Sequence, residues 1–177
     1  CVFNGTRAGL RFKTRRNRGG GADGVWAERL RMIIVGNAFT WDLLGSAMYM
    51  GELAARYPER AVNRLTPDVK NIHIKDFVVE GANWLIAANG IPEIPFNHVL
   101  IENANVKTKQ LVRSLNDAKD FTVRKVEITS EKDTIKILDA QNVLFVYGIG
   151  GKIFTAVFAV VLLLITGWIM EKKVNVK

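Results

Sequence analysis

Asp42 is the acid to weigh first, because it sits at the centre of an apolar stretch, residues 32–50. A carboxylate in such surroundings either relays a proton or serves as a buried hydrogen-bond partner. The partner role is the expected one. His73 and His98 lie 25 residues apart with no cysteine near either. A metal site needs clustered ligands, so both read as structural or surface histidines. Cys1 is the single cysteine and has no resolving partner, which removes thiol redox chemistry. Asp117 with Asp120, and Glu131 with Asp133, are close carboxylate pairs. Both lie in hydrophilic turns beside lysines and read as solvated charge. No nucleophile elbow, zinc-protease helix, phosphate loop or dinucleotide fingerprint occurs. The expectation is therefore a protein without catalytic residues, cofactor, metal or small-molecule substrate.

The basic residues are unevenly placed. The chain of 177 residues carries a formal charge of +8. Residues 1–31 hold eight bases and two acids, residues 32–151 thirteen bases and fourteen acids, and residues 152–177 four bases and one acid. The middle is electrically ordinary and both ends are basic. A nucleic-acid reader usually carries its basic patch on the folded body, so no specific nucleic-acid partner is expected. Residues 1–22 lack any acid, and their arginines alternate with small and hydroxyl residues, as in a mitochondrial targeting segment or its remnant. Arg7, Arg11, Arg15, Arg16 and Arg18 are then expected to meet partner subunits or lipid headgroups, with Lys172 and Lys173 doing the same at the other end.

One segment carries a stronger physical signal. Residues 153–170 contain no charge. As a helix they would be about 27 Å long, close to the roughly 30 Å hydrocarbon core of a bilayer. The anchor would consist of Ile153, Phe154, Val157, Phe158, Val160, Val161, Leu162, Leu163, Leu164, Ile165, Trp168 and Ile169. Lysines flank it on both sides, as a single span requires.

The elements expected to carry these residues are mixed. Residues 32–50 allow three readings: a helix buried in the domain or against partners, a second shielded membrane helix, or a strand at 32–35 followed by a helix. A helical segment over 32–56 is the preferred form. Thr66-Pro67-Asp68 is a good helix start and Asn89-Gly90 a good stop, although the alternation at Ile72, His73 and Ile74 allows a strand start. Residues 91–95 read as an extended linker, because residues before proline avoid helix. Residues 98–101 suggest a strand and 107–119 a helix. Residues 121–129, 134–139 and 143–147 read as three strands of an antiparallel meander. No internal repeat stands out.

Assembled, the expected fold is α+β. It has a basic N-terminal arm at 1–31, a small domain at 32–151 with a helical N-terminal half, and an antiparallel β-meander. A single C-terminal transmembrane helix at 152–171 and a basic tail at 172–177 complete it. The expected function is that of a non-catalytic accessory subunit of a mitochondrial inner-membrane respiratory-chain complex, packing against other subunits and lipids. An ATP synthase accessory subunit, a membrane-tethered assembly or translocation factor and a membrane-associated organellar ribosomal protein are the alternatives.

Overall fold

A computed structural model describes residues 1–149 and 152–158, without the side chains of 133, 147–149 and 152–158. Seven strands account for most of it: β1 Val2–Lys13, β2 Gly21–Asp42, β3 Asp68–Asn89, β4 Phe96–Asn116, β5 Ala118–Leu138, β6 Gln141–Ile149 and β7 Lys152–Phe158. Helix is confined, among the described residues, to one α-turn, α1 Ala47–Met50, and a 3-10 turn at Gly51–Ala54. The strands form one sheet in chain order. Every neighbouring pair from β1 to β6 is parallel, and β6 with β7 is antiparallel.

Parallel neighbours need a return path, ordinarily a crossover of a dozen or more residues. Here Asp117 alone separates β4 from β5. The return must therefore lie inside the strands. The Phe96 amide, at the start of β4, donates to the carbonyl of Asp117, one residue beyond the end of β4, at 3.2 Å. The 21 residues of β4 thus bend round to finish beside their own beginning. The Leu43 amide on the Asn89 carbonyl (3.0 Å) and the Gly90 amide on that of Asn116 (2.9 Å) repeat the stacking at successive junctions. The architecture is a parallel β-solenoid, rising about 4.8 Å per coil.

Bending a strand without ending it requires corners. Asn71, His98, Asp120 and Asn142 have φ between 51° and 54° and occupy one register column, with Gly24 next to them on β2. Arg29, Asp76, Asn103 and Lys125 form a second column with φ between 52° and 55°. Asn and Asp tolerate the left-handed region because their short polar groups bond locally. Their side chains also bond from coil to coil: Asn71 Nδ2 donates to Asp23 at 2.7 Å, Asn142 Nδ2 to Asp120 at 2.8 Å, and Asn103 Nδ2 to Asp76. At Asn103 a β-branched residue meets the full steric penalty, so Asn103→Val is expected to cost about 1–3 kcal/mol. Asn103→Gly should cost distinctly less, because glycine adopts positive φ freely. Urea-denaturation midpoints read the difference, and equal losses would show that backbone conformation is not what Asn103 supplies.

Each corner consumes one residue and resets the in–out alternation. The inward residues therefore run Ile72, Ile74, Phe77, Val79 on β3, Val99, Ile101, Ala104, Val106 on β4, and Phe121, Val123, Val126, Ile128 on β5. Like positions stack on like, and the interior carries a ring ladder. Trp41 lies over Phe12 (5.2 Å) and Phe96 (5.5 Å), Phe121 meets Trp41 and Phe96 edge-on, and Phe145 stacks on Phe121 at 6.2 Å.

This fold overturns the α+β expectation. The helical N-terminal half is absent: residues 32–42 belong to β2, and residues 68–89, expected as a helix, are β3. Residues 107–119 are likewise strand, apart from Asp117 at the β4–β5 junction. The strands foreseen at 98–101, 121–129, 134–139 and 143–147 fall in strand apart from Asp139, but 121–129 and 134–138 are parts of one strand, β5, and β4, β5 and β6 pair in parallel and not as a meander. The basic N-terminus is not a separate arm in this fold, since β1 pairs with Arg31–Asp42 of β2. The transmembrane helix is corrected too. Ile153, Phe154, Val157 and Phe158 lie in β7, and no helix among the described residues is long and apolar enough to cross a membrane. Val160, Val161, Leu162, Leu163, Leu164, Ile165, Trp168 and Ile169 lie outside the described residues, as do Lys172 and Lys173.

Candidate functional site: a basic pocket at the end of β1

Arg11 and Lys13 are two residues apart on a strand and so share one face of it. After Lys13 the chain leaves the sheet in a tight loop. The Arg18 amide bonds the Arg15 carbonyl at 3.2 Å, Asn17 turns with φ 60°, and Thr14 Oγ1 closes the loop on the Gly19 carbonyl at 2.8 Å. The loop splits its arginines by function. Arg16 turns inward and is 3% exposed. It makes a two-pronged ion pair with Glu93, whose side chain is 1% exposed, with Nη2 on Oε2 at 2.7 Å. Its remaining donors hold the carbonyls of Leu53, Ala55 and Arg56. Burial raises the Glu93 carboxyl, but the bonds from Arg16 and backbone amides outweigh it and hold the group below its ordinary value.

Arg15 and Arg18, on either side, join Arg11 and Lys13 around a cavity of about 250 Å³. Thr14, Asp42, Gly45, Ser46 and Tyr49 complete its wall. Asp42 Oδ2 accepts from Arg11 Nη2 at 2.8 Å, and its Oδ1 accepts from the Gly45 amide at 3.3 Å. Asp42 is therefore a partly exposed ion-pair partner, with 26% of its side chain accessible. Lys13, Arg15 and Arg18 form no ion pair among the described residues. Tyr49, from α1, is 75% exposed at the rim. Four cations around one carboxylate, beside a flat aromatic ring and two hydroxyls, can pair with carboxylate or phosphate while packing a ring's apolar face.

Several other charged groups are committed to partners elsewhere. Glu102 accepts from Arg124 at 2.8 Å and bonds His73 Nε2 at 2.8 Å, and the Arg124 guanidinium first, then His73, holds its carboxyl below the usual range. His98 bonds Asn97 and lies 3.6 Å from Asp120. Arg56 clamps Asp117 with bonds of 2.7 and 2.6 Å and reaches Asp139. No group of three potential metal ligands occurs among the described residues. Of the basic residues singled out from sequence, Arg11, Arg15 and Arg18 share this pocket, Arg16 is buried beneath the loop, and Arg7 lines a different cavity. Lys13 and Tyr49 were not foreseen. The Arg-x-Lys spacing of Arg11 and Lys13 signals a shared face only once the segment is read as strand. Comparison with known protein families, curated proteins and solved structures finds no match.

Proposed function

We propose that this solenoid binds an acidic, hydroxyl-rich polymer, an acidic polysaccharide, through the pocket at the end of β1. What carries the reading is the gathering of Arg11, Lys13, Arg15 and Arg18 around a single carboxylate, with Tyr49 exposed at the rim. Guanidinium groups pair two-pronged with carboxylates, and a tyrosine ring packs the C–H face of a sugar while its hydroxyl stays wet. The near-neutral charge of residues 32–151 argues against nucleic acid, which would be tracked by a basic face along the body. The arginine loop has a double role here: Arg16 anchors it, and Arg15 and Arg18 face the ligand.

Titration calorimetry with an oligouronate, a neutral glucan of equal length and a single-stranded oligonucleotide tests the reading. The oligouronate should bind, weaken with added salt and exceed both competitors. Lys13→Ser with Arg18→Ser should weaken it about tenfold or more, the loss of charge-assisted bonds. Equal binding of the neutral glucan, or no effect of the double variant, overturns the proposal.

A second reading rests on one sequence observation: residues 159–170 carry no charge. It takes the chain as a non-catalytic accessory subunit of a mitochondrial inner-membrane complex of the respiratory chain, attached through that segment. Release of the full chain by a carbonate wash would refute it.

A further inference from the structure

A second cavity, of about 570 Å³, opens across four consecutive coils. Arg7 of β1 stands at one side and Arg113 of β4 at the other. Between them lie Gly36 and Asn37 of β2 and Asn83 and Trp84 of β3. The register sets Asn37 directly beside Trp84. Gly36 makes the approach of β1 possible, since a Cβ there would come within 2.3 Å of the Arg7 carbonyl oxygen. Asn83 is held by its Nδ2 bond to the Val35 carbonyl at 2.9 Å. No acid lines the cavity, and neither Arg7 nor Arg113 forms an ion pair among the described residues. Both are exposed.

We infer that this cavity is a second subsite for an acidic glycan, lying along the solenoid axis from Arg7 to Arg113 with a sugar ring against Trp84. The inference rests on the reading of the chain as a binder of acidic polysaccharide and extends it to a separate place on the coils. The geometry sets the ligand's length. Three strand spacings separate β1 from β4, about 14 Å along the axis, and Arg113 lies three residues further along its strand than Gln110, the register partner of Trp84, so the two arginine backbones are at least that far apart. That span is longer than one sugar unit, so a single uronic acid satisfies one guanidinium, and an oligomer with carboxylates on separate units satisfies both. The two asparagines supply donors and acceptors for hydroxyl groups between the charges. A single indole with flanking amides suits one sugar face, whereas single-stranded nucleic acid is held by a succession of stacking platforms.

The test uses the full chain with uronic acid as monomer, trimer and hexamer, and a single-stranded oligonucleotide as competitor. Affinity is read by calorimetry, and occupancy by tryptophan fluorescence. The hexamer should perturb the fluorescence, and Trp84→Phe should remove that change. Arg7→Ser with Arg113→Ser should weaken the hexamer about tenfold, as expected for lost charge-assisted bonds, and weaken the monomer, which loses one such bond, by less. These arginines have no ion-pair partner among the described residues to lose, and an unchanged circular dichroism spectrum confirms the fold. If the hexamer binds this variant as tightly as the parent while Lys13→Ser with Arg18→Ser weakens it, the second subsite falls and the first reading stands. If the parent binds no oligouronate, both fall. An oligonucleotide that binds the cavity more tightly than the hexamer overturns the glycan assignment.

Discussion

Glu93→Gln is expected to destabilise the protein by about 3–5 kcal/mol, the range for breaking a buried ion pair by neutralising one member. Arg16 is left charged and 3% exposed, with its guanidinium facing an amide that cannot neutralise it. Domains of this size have about 5–15 kcal/mol in total, so the loss is a large fraction. Arg16→Met should be as costly for a different reason. It strips the bonds from the carbonyls of Leu53, Ala55 and Arg56, so the long connection between β2 and β3 loses its anchor as Glu93 loses its cation. The two variants are separable: trypsin cleavage after Arg60 or Arg64, both in that connection, should accelerate more in Arg16→Met. Arg16→Met with Glu93→Leu should recover part of the loss, because removing both charges removes the uncompensated one, but the three carbonyls still lack their donor. The pH dependence has a definite sign. The native Glu93 pKa lies below its unfolded value, so its stabilising contribution is complete above the ordinary glutamate pKa of about 4.3. It drains as pH falls through the lower native value, and Glu93→Gln should flatten that acid limb. Urea midpoints across acid pH check both claims. A change below about 1 kcal/mol in Glu93→Gln would mean that water reaches the pair.

Strand content in the C-terminal half was readable in the sequence, and strand partnership was not. Residues 121–129 and 143–147 are rich in branched and aromatic side chains, which is a local property. Which neighbour each strand meets depends on corners that look like nothing in a hydropathy pattern. Between Ile72 and Val79 the inward positions are spaced two, three and two, because Asp76 turns the backbone without pointing inward. A spacing that mixes two and three is not that of a plain strand, and over residues 68–89 it is compatible with a helix. The repeat was present all the same. Residues 71–77 read NIHIKDF, 98–104 HVLIENA and 120–126 DFTVRKV. Each opens on a corner residue, continues with two apolar positions two apart, and reaches a second corner at its sixth place. The intervals between these openings shrink from 47 residues (Gly24 to Asn71) to 27 and then 22, because the connections outside the sheet differ in length. That inequality hid the period. The basic pocket was half legible for a related reason. Arg11, Arg15 and Arg18 stood out by charge. Tyr49 is brought to them only by the 43–67 connection folding back, and that path is decided by the buried bonds of Arg16.

Trp41→Ala should cost about 3–5 kcal/mol, as large aromatic truncations in a close-packed core do. Trp41 is fully buried among three rings: Phe12 stacks on it at 5.2 Å, Phe96 at 5.5 Å, and Phe121 approaches edge-on at 5.8 Å. A solenoid has no second layer to collapse into the gap, since the coil interior is filled by the coil's own inward residues. The cavity therefore stays, and the cavity contribution adds to the lost transfer energy. Trp41→Phe separates packing from polarity. The indole Nε1 is buried with no hydrogen-bond partner among the described residues, an arrangement that already carries a desolvation penalty of about 1–3 kcal/mol. Phenylalanine removes that orphan donor while keeping a ring against Phe12 and Phe96, so the loss should fall well short of the alanine variant's. The comparison also reaches the pocket. Trp41 immediately precedes Asp42, the one acid among the pocket cations, and Phe12 lies between Arg11 and Lys13. Inward rings thus alternate with outward charges along the same two strands. Trp41→Ala should therefore weaken oligouronate binding through displaced Arg11 and Asp42, whereas Trp41→Phe should leave it near the parent. Denaturation midpoints and calorimetric affinity, measured on both variants, decide it: stability lost with affinity retained would show that the pocket is held by its own loop and not by the core beneath.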